Sequence, residues 1–405
     1  MWWQGVLAVH NTAYHLCVGV PNKPNIGRET FTMKIISMRY SGIDTLGFVR
    51  NVALLVLCVI AVQTNSASLK GSQAPPKSST LRQAAEARHI LVGTAAAPRY
   101  LDEADYSAVL GSEFSELEPE NQMKFQIIHP RAGDNPNSYD YKPADALADF
   151  AQSHNMLLRG HTLVWHNQIP DWVKQGHYAE PQLATILKNH IDSVVTHYAS
   201  KVYAWDVVNE AFKDDGTMRD TVWYNQPGIG AGKGTQYIEQ ALRWAHAADP
   251  EAKLFYNDYD AEMVNQKSDA IYAMAKDFKQ RGVPLDGIGF QTHIYPQFDN
   301  PTTLASYAAN LERFAKLGLE LHITELDIRL ADSSAASLAA EAKLYGEITT
   351  LCVQQPACKL IQTWGFTDKH SWIPQFYKGM GWALLWDDKY QKKPAYDAVH
   401  DALAK

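Results

Sequence analysis

Val202-Tyr203-Ala204-Trp205-Asp206-Val207-Val208-Asn209-Glu210 is a run of strand character, rich in β-branched and aromatic residues, that closes on two polar side chains. Comparable apolar runs recur on both sides of it. With 202–209 as the fourth, they cover 89–96, 111–117, 157–166, 252–259, 287–294, 320–330 and 360–367, eight in all. Stretches of helical period separate them, notably 143–154, 181–198, 235–248, 261–281, 304–316 and 335–354, each with a polar outer face. Strand followed by helix, repeated eight times, predicts an α/β protein of the (β/α)8 TIM-barrel type. An open doubly wound sheet would require a Gly-rich turn after its first strand, and none is present. The Gly-rich stretch 228–234 lies well past the fourth strand, puts Gly234 where a phosphate loop needs Ser or Thr, and reads as a flexible surface loop.

In such a barrel the interior is packed and chemistry gathers at the C-terminal strand ends. Glu210 closes strand four; strand seven, Leu321-His322-Ile323-Thr324-Glu325-Leu326-Asp327, delivers Glu325. A carboxylate ending a buried strand costs desolvation energy unless it is paired or used. A structural ion pair accounts for either glutamate alone; two of them on strands four and seven point to chemistry. Facing carboxyl groups are what glycosidic bond cleavage needs, one protonated to supply the leaving oxygen and one ionised to meet the anomeric carbon. Raising one Glu from about 4.3 to about 6 takes roughly 2 kcal/mol, within reach of burial and neighbouring negative charge. His293, ending Gly289-Phe290-Gln291-Thr292-His293, is placed to hold the other ionised, or is a satisfied core histidine. Strand three ends Gly160-His161-Thr162-Leu163-Val164-Trp165-His166, and Glu120-Asn121-Gln122-Met123-Lys124 follows strand two. These groups suit repeated hydroxyls. Neither His-Glu-x-x-His nor paired Cys-x-x-Cys occurs, so no metal and no cofactor is expected; nor is there a Gly-x-Ser-x-Gly elbow.

A net charge of −7 over 405 residues gives no basic stripe for phosphates, which argues against nucleic acid as a partner. Eleven Trp and twenty Tyr offer either core packing or a floor on which sugar faces stack. Residues 52–62 form an unbroken apolar run behind Lys34, Arg39 and Arg50, too short to span a bilayer. Residues 1–67 therefore read as an N-terminal extension plus secretory signal, with translation expected to start at Met33 or Met38. A polar linker follows at 68–80, and 81–405 is one domain with no further module expected after it. The product is expected to be secreted, extracellular or periplasmic, as a monomer without a stable membrane anchor. Cys17 and Cys58 precede the mature region; Cys352 and Cys358 remain, either as a disulfide or as two free thiols.

Together, 160–166, 205–210, Gln291-Thr292-His293, Ile323-Thr324-Glu325-Leu326-Asp327 and Trp364-Gly365-Phe366-Thr367-Asp368-Lys369 resemble glycoside hydrolase family 10, the endo-1,4-β-xylanases, from about Leu81 to the C-terminus. The resemblance implies a retaining enzyme acting on xylan, with Glu210 as acid/base and Glu325 as nucleophile. It assigns Asn209 to the sugar 2-hydroxyl and Glu120, Asn121, Lys124, His161, Trp165, Gln291, Trp364 and Trp372 to sugar binding. His293 would support the nucleophile and Asp327 would stand behind it; many relatives also carry a cysteine pair like Cys352/Cys358. A β-1,4-glucanase on the same scaffold is the alternative substrate reading, and a catalytically silent polysaccharide-binding barrel the alternative class. Retention of both glutamates argues against the latter.

Overall fold

The computed structural model describes residues 79–405, except Gln226 and Ala231, together with three short segments near the N-terminus. Those segments, Gly5–His10, Ala13–Val20 and Thr32–Met38, pair as a three-stranded antiparallel sheet within a unit spanning residues 1–73. The apolar run 52–62 and the linker up to 78 lie outside the described residues.

The second unit holds eight parallel strands: β1 (Leu91–Ala96), β2 (Glu116–Pro119), β3 (Leu157–Val164), β4 (Val202–Asn209), β5 (Lys253–Asp258), β6 (Gly287–Phe290), β7 (Glu320–Ile328) and β8 (Cys358–Thr363). Each pairs with the next, and β8 pairs with β1 through Leu360 opposite Leu91, which closes the barrel. After a two-residue break β6 resumes as His293–Ile294, with His293 opposite Asp327 of β7. The expected (β/α)8 fold is therefore what the chain adopts.

Thr80 starts the unit with a capping box. Its hydroxyl accepts from the Gln83 amide, and the Gln83 side chain accepts from the Thr80 amide, opening α1 (Leu81–Glu86). The longer helices that follow are α2 (Ala104–Glu113), α3 (Lys142–Ser153), α4 (Glu180–His197), α5 (Gln236–Ala248), α6 (Gln266–Arg281), α7 (Pro301–Ala315), α8 (Ala335–Gln354) and α9 (Pro394–Ala404). Glu113 ties the first and last helices of this unit together, accepting from the Leu81 amide and the Tyr396 hydroxyl, both at 2.9 Å.

Two expected boundaries are corrected. The run 111–117 is not one strand: α2 continues through Gly111 to Glu113, burying Tyr106 and Leu110 on one face, and β2 starts only at Glu116. A Cβ on Gly111 would meet the His154 ring at 2.3 Å, so this glycine permits close helix packing and is not a strand residue. The helix expected over 261–281 starts at Gln266, because the Asn265 side chain caps it by accepting from the Ser268 amide. The Gly-rich loop is also anchored: Ile229 is buried and the Gly230 amide donates to Glu180.

Strand interiors at the base of the barrel are ionic as well as aliphatic. Arg159 is fully buried and pairs with Asp206, approaches Glu118 at 3.4 Å and donates to His322 Nδ1 at 2.8 Å. Burial pushes the Glu116 carboxyl up to about 8, and burial with Asp206 alongside raises Glu118 well above its ordinary value. These protonated acids spare the single Arg159 cation from balancing three carboxylates.

Candidate active site

Strand geometry brings the polar strand ends to one face. Glu210 immediately follows β4, Glu325 lies near the end of β7, Trp165 follows β3 and Trp364 follows β8. Glu210 Oε1 accepts from Gln291 Nε2 at 3.0 Å and from Asn209 Nδ2 at 3.2 Å; its Oε2 accepts from Trp165 Nε1 at 2.9 Å. Glu325 Oε1 accepts from Asn257 Nδ2 at 2.7 Å, and Oε2 meets His293 Nε2 at 3.0 Å. One amide path joins the two acids. Gln291 and Asn257 both donate to Asn209 Oδ1, at 3.1 and 2.9 Å, while their second contacts reach Glu210 and Glu325 respectively.

His293 is a bridge between carboxylates, its Nδ1 lying 2.9 Å from Asp327 Oδ2. Burial opposes its charge, but Asp327 and Glu325 prevail and raise its pKa well above the usual histidine value. It is therefore a cation donating to both acids. Trp372 Nε1 donates to the same Asp327 oxygen at 2.8 Å, and its ring lies 5.1 Å from that of His293. Lys124 donates to Asn121 Oδ1 at 3.0 Å, with its ammonium 4.9 Å from the Trp165 ring and 5.3 Å from that of Trp364. Burial lowers its pKa against the pull of Glu325, Glu120 and Glu210. His161 is buried between Asp206 and Trp364, edge-on to that ring. Glu120 stands further out, 4.0 Å from Arg99.

The expectation of an acid with a raised pKa is not met by Glu210 in this arrangement. Burial pushes it up, but the donors Gln291 and Trp165, with positive charge nearby, hold it below the ordinary glutamate value. Glu118, His161 and Asp206 offer ligand atoms within 4.8 Å of one another, yet the Arg159 guanidinium already supplies the positive charge there.

Residues 80–402 match the family model described as glycosyl hydrolase family 10. The chain belongs to glycosyl hydrolase family 10. Among family members, the endo-1,4-beta-xylanase B of Thermotoga neapolitana is 43% identical over 356 residues, 87% of this chain and 96% of that one. The endo-1,4-beta-xylanase A of Phanerodontia chrysosporium is 42% identical over 311 residues, 76% of this chain and 72% of its own length. The crystal structure of xylanase 10B from Thermotoga petrophila RKU-1 in complex with xylobiose superposes with a TM-score of 0.75 at 46% identity, over 80% of this chain and 97% of that one.

Three residues of this family 10 site make contacts that the sequence does not announce. Asn257 touches Glu325 and Asn209; it sits on strand five with the same signal that flagged Glu210, a polar side chain near a strand's C-terminal end. His166 Nδ1 lies 3.7 Å from Glu210 Oε2, and burial lowers its pKa to about 4, so it is neutral near pH 7. Arg219 Nε donates to the Glu210 carbonyl at 3.0 Å, and no local pattern announces that.

Proposed function

We propose that the chain is an exported, retaining endo-1,4-β-xylanase with Glu325 as nucleophile and Glu210 as acid/base. The observation that carries this reading is the amide path through Gln291, Asn209 and Asn257 that links the two carboxyls in one tryptophan-walled cleft. Asn257 and the His293 cation both donate to Glu325, which fixes the direction in which its carboxyl group points. A carboxylate oxygen of Glu325 attacks the anomeric carbon as Glu210 gives its proton to the departing glycosidic oxygen. Glu210 then takes a proton from water, which attacks the same carbon and frees Glu325, with net retention. Glu210 gains its proton when a sugar chain enters, because the chain dries the carboxyl and draws the Asn209 and Gln291 amides towards its own hydroxyls. The xylanase relatives support xylan as substrate, and on this reading Trp364 and Trp372, whose rings lie 6.4 and 5.1 Å from that of His293, leave a glucosyl hydroxymethyl group little room. The apolar run 52–62 supports export with loss of residues 1–67, leaving 68–80 as a linker to the catalytic domain 81–405. Among the described residues no helix is long and apolar enough to cross a membrane.

Hydrolysis of xylan is tested against carboxymethylcellulose; preference for the latter would overturn the substrate assignment. Glu325→Ala is expected to lose at least about 10⁴-fold in kcat, with azide restoring turnover and giving the inverted glycosyl azide. Glu210→Ala should keep rapid glycosylation only with activated aryl leaving groups, which need no proton, and azide should then give the retained product.

A further inference from the structure

Beyond His293 and Asp327, the adjacent strand ends of β6 and β7 deliver a second pair of side chains, Tyr295 and Arg329. The Arg329 guanidinium rests against two rings, 4.7 Å from the centroid of Tyr295 and 4.4 Å from that of Tyr377. Aromatic support fixes a planar cation while leaving its N–H edge available. Of its five donors, one makes a long contact of 3.5 Å with the His293 carbonyl. Among the described residues no carboxylate comes within 4.0 Å of it; Asp260, whose carboxyl feels the charge, lies beyond that distance. A cavity of about 520 Å³ opens beside it, with Gln297, Ser337 and Met380 in its wall. Packing links the patch to the site: the Tyr377 ring lies edge-on against Trp372, and Trp372 against His293.

We propose that this cavity holds the carboxylate of an acidic sugar branch, a uronic acid carried by the polysaccharide chain, and that Arg329 recognises it. The proposal rests on the xylanase reading above. A guanidinium edge matches a carboxylate with two parallel hydrogen bonds, the Tyr295 ring in the cavity wall offers a surface for sugar C–H groups, and the Gln297 side chain offers a partner for hydroxyls. The cavity volume falls in the range that encloses a small ligand. A neutral branch would leave the guanidinium unanswered.

Wild type and Arg329→Gln are compared on three oligosaccharides with the same xylose backbone: unbranched, bearing one uronic acid, and bearing that branch with its carboxyl reduced to an alcohol. The variant should match wild type within about twofold on the unbranched and reduced substrates and lose about tenfold in kcat/KM on the acidic one. The wild-type advantage on the acidic substrate should shrink as salt is raised. Equal rates for the two proteins on the acidic substrate would overturn the pocket, and so would an equal loss on all three, which marks a general disturbance of the cleft. Wild type inert towards the unbranched chain would refute the xylanase reading and this proposal with it, an outcome distinct from failure of the pocket alone.

Discussion

Glu210 occupies the left-handed region of backbone space, with φ of +55°, a conformation that costs a non-glycine residue about 1–3 kcal/mol. Its amide donates to the Asn257 carbonyl and its own carbonyl accepts from Arg219, so neighbours on both sides hold the turn that aims its carboxyl. With its pKa lowered in the free protein and, by the loading step proposed above, raised when a chain binds, the alkaline limb of kcat should lie at higher pH than that of kcat/KM. Coincident limbs would contradict the loading step. His293 carries a stability consequence of opposite sign to the usual carboxylate case. Its raised pKa means that its ion pairs stabilise the fold fully below the unfolded value near 6.5, and that this contribution is lost as pH rises through the higher folded value. In urea titrations the gap between wild type and His293→Gln should be widest at pH 6 and narrow in the alkaline range.

At the scale of elements, β5, β6 and β7 meet in a contact that leaves no room for a side chain. A Cβ on Gly289 of β6 would lie 2.2 Å from Asn257 Oδ1 and 3.0 Å from Thr324 Cγ2. Gly289→Ala should therefore turn the Asn257 amide away from Glu325 and Asn209, lowering kcat/KM about 10–100-fold while costing about 1–3 kcal/mol in the urea midpoint. An unaffected kcat/KM would show that Asn257 does not position Glu325. The strand ends carrying Glu210, Gln291, His293 and Glu325 were legible because a buried strand that closes on a polar residue is a local anomaly. Asn257 is harder to see in the sequence, since the strand-like run 252–259 continues past it to Tyr259 and makes it look internal. The junction at 111–117 misled for a related reason: apolar residues at helical spacing run into apolar residues at strand spacing, with a packing glycine between them.

At the scale of the whole barrel, closure joins its first and last elements, where β8 pairs with β1 and α9 carries Tyr396 to Glu113. The Cys352–Cys358 disulfide spans six positions between α8 and β8. Replacing both cysteines with serine should cost about 2 kcal/mol by loop-closure entropy, read from chemical denaturation, with xylan hydrolysis at 25 °C unchanged. The ionic core around Arg159 could not be anticipated. Glu118, Asp206 and His322 come from β2, β4 and β7, and buried charges make sense only once their partners are known.

The eightfold alternation and the two glutamates at strand ends are legible in the chain alone, because hydrophobic period and the cost of a buried carboxyl are properties of short stretches. Which amides connect those glutamates, which way the Glu210 pKa moves, and that Arg329 faces a cavity with no carboxylate within 4.0 Å among the described residues, emerge only from the folded chain. Each depends on distances between side chains from different strands, such as Asn257 and Glu325, 68 positions apart. No local pattern encodes such distances; they exist once the barrel closes.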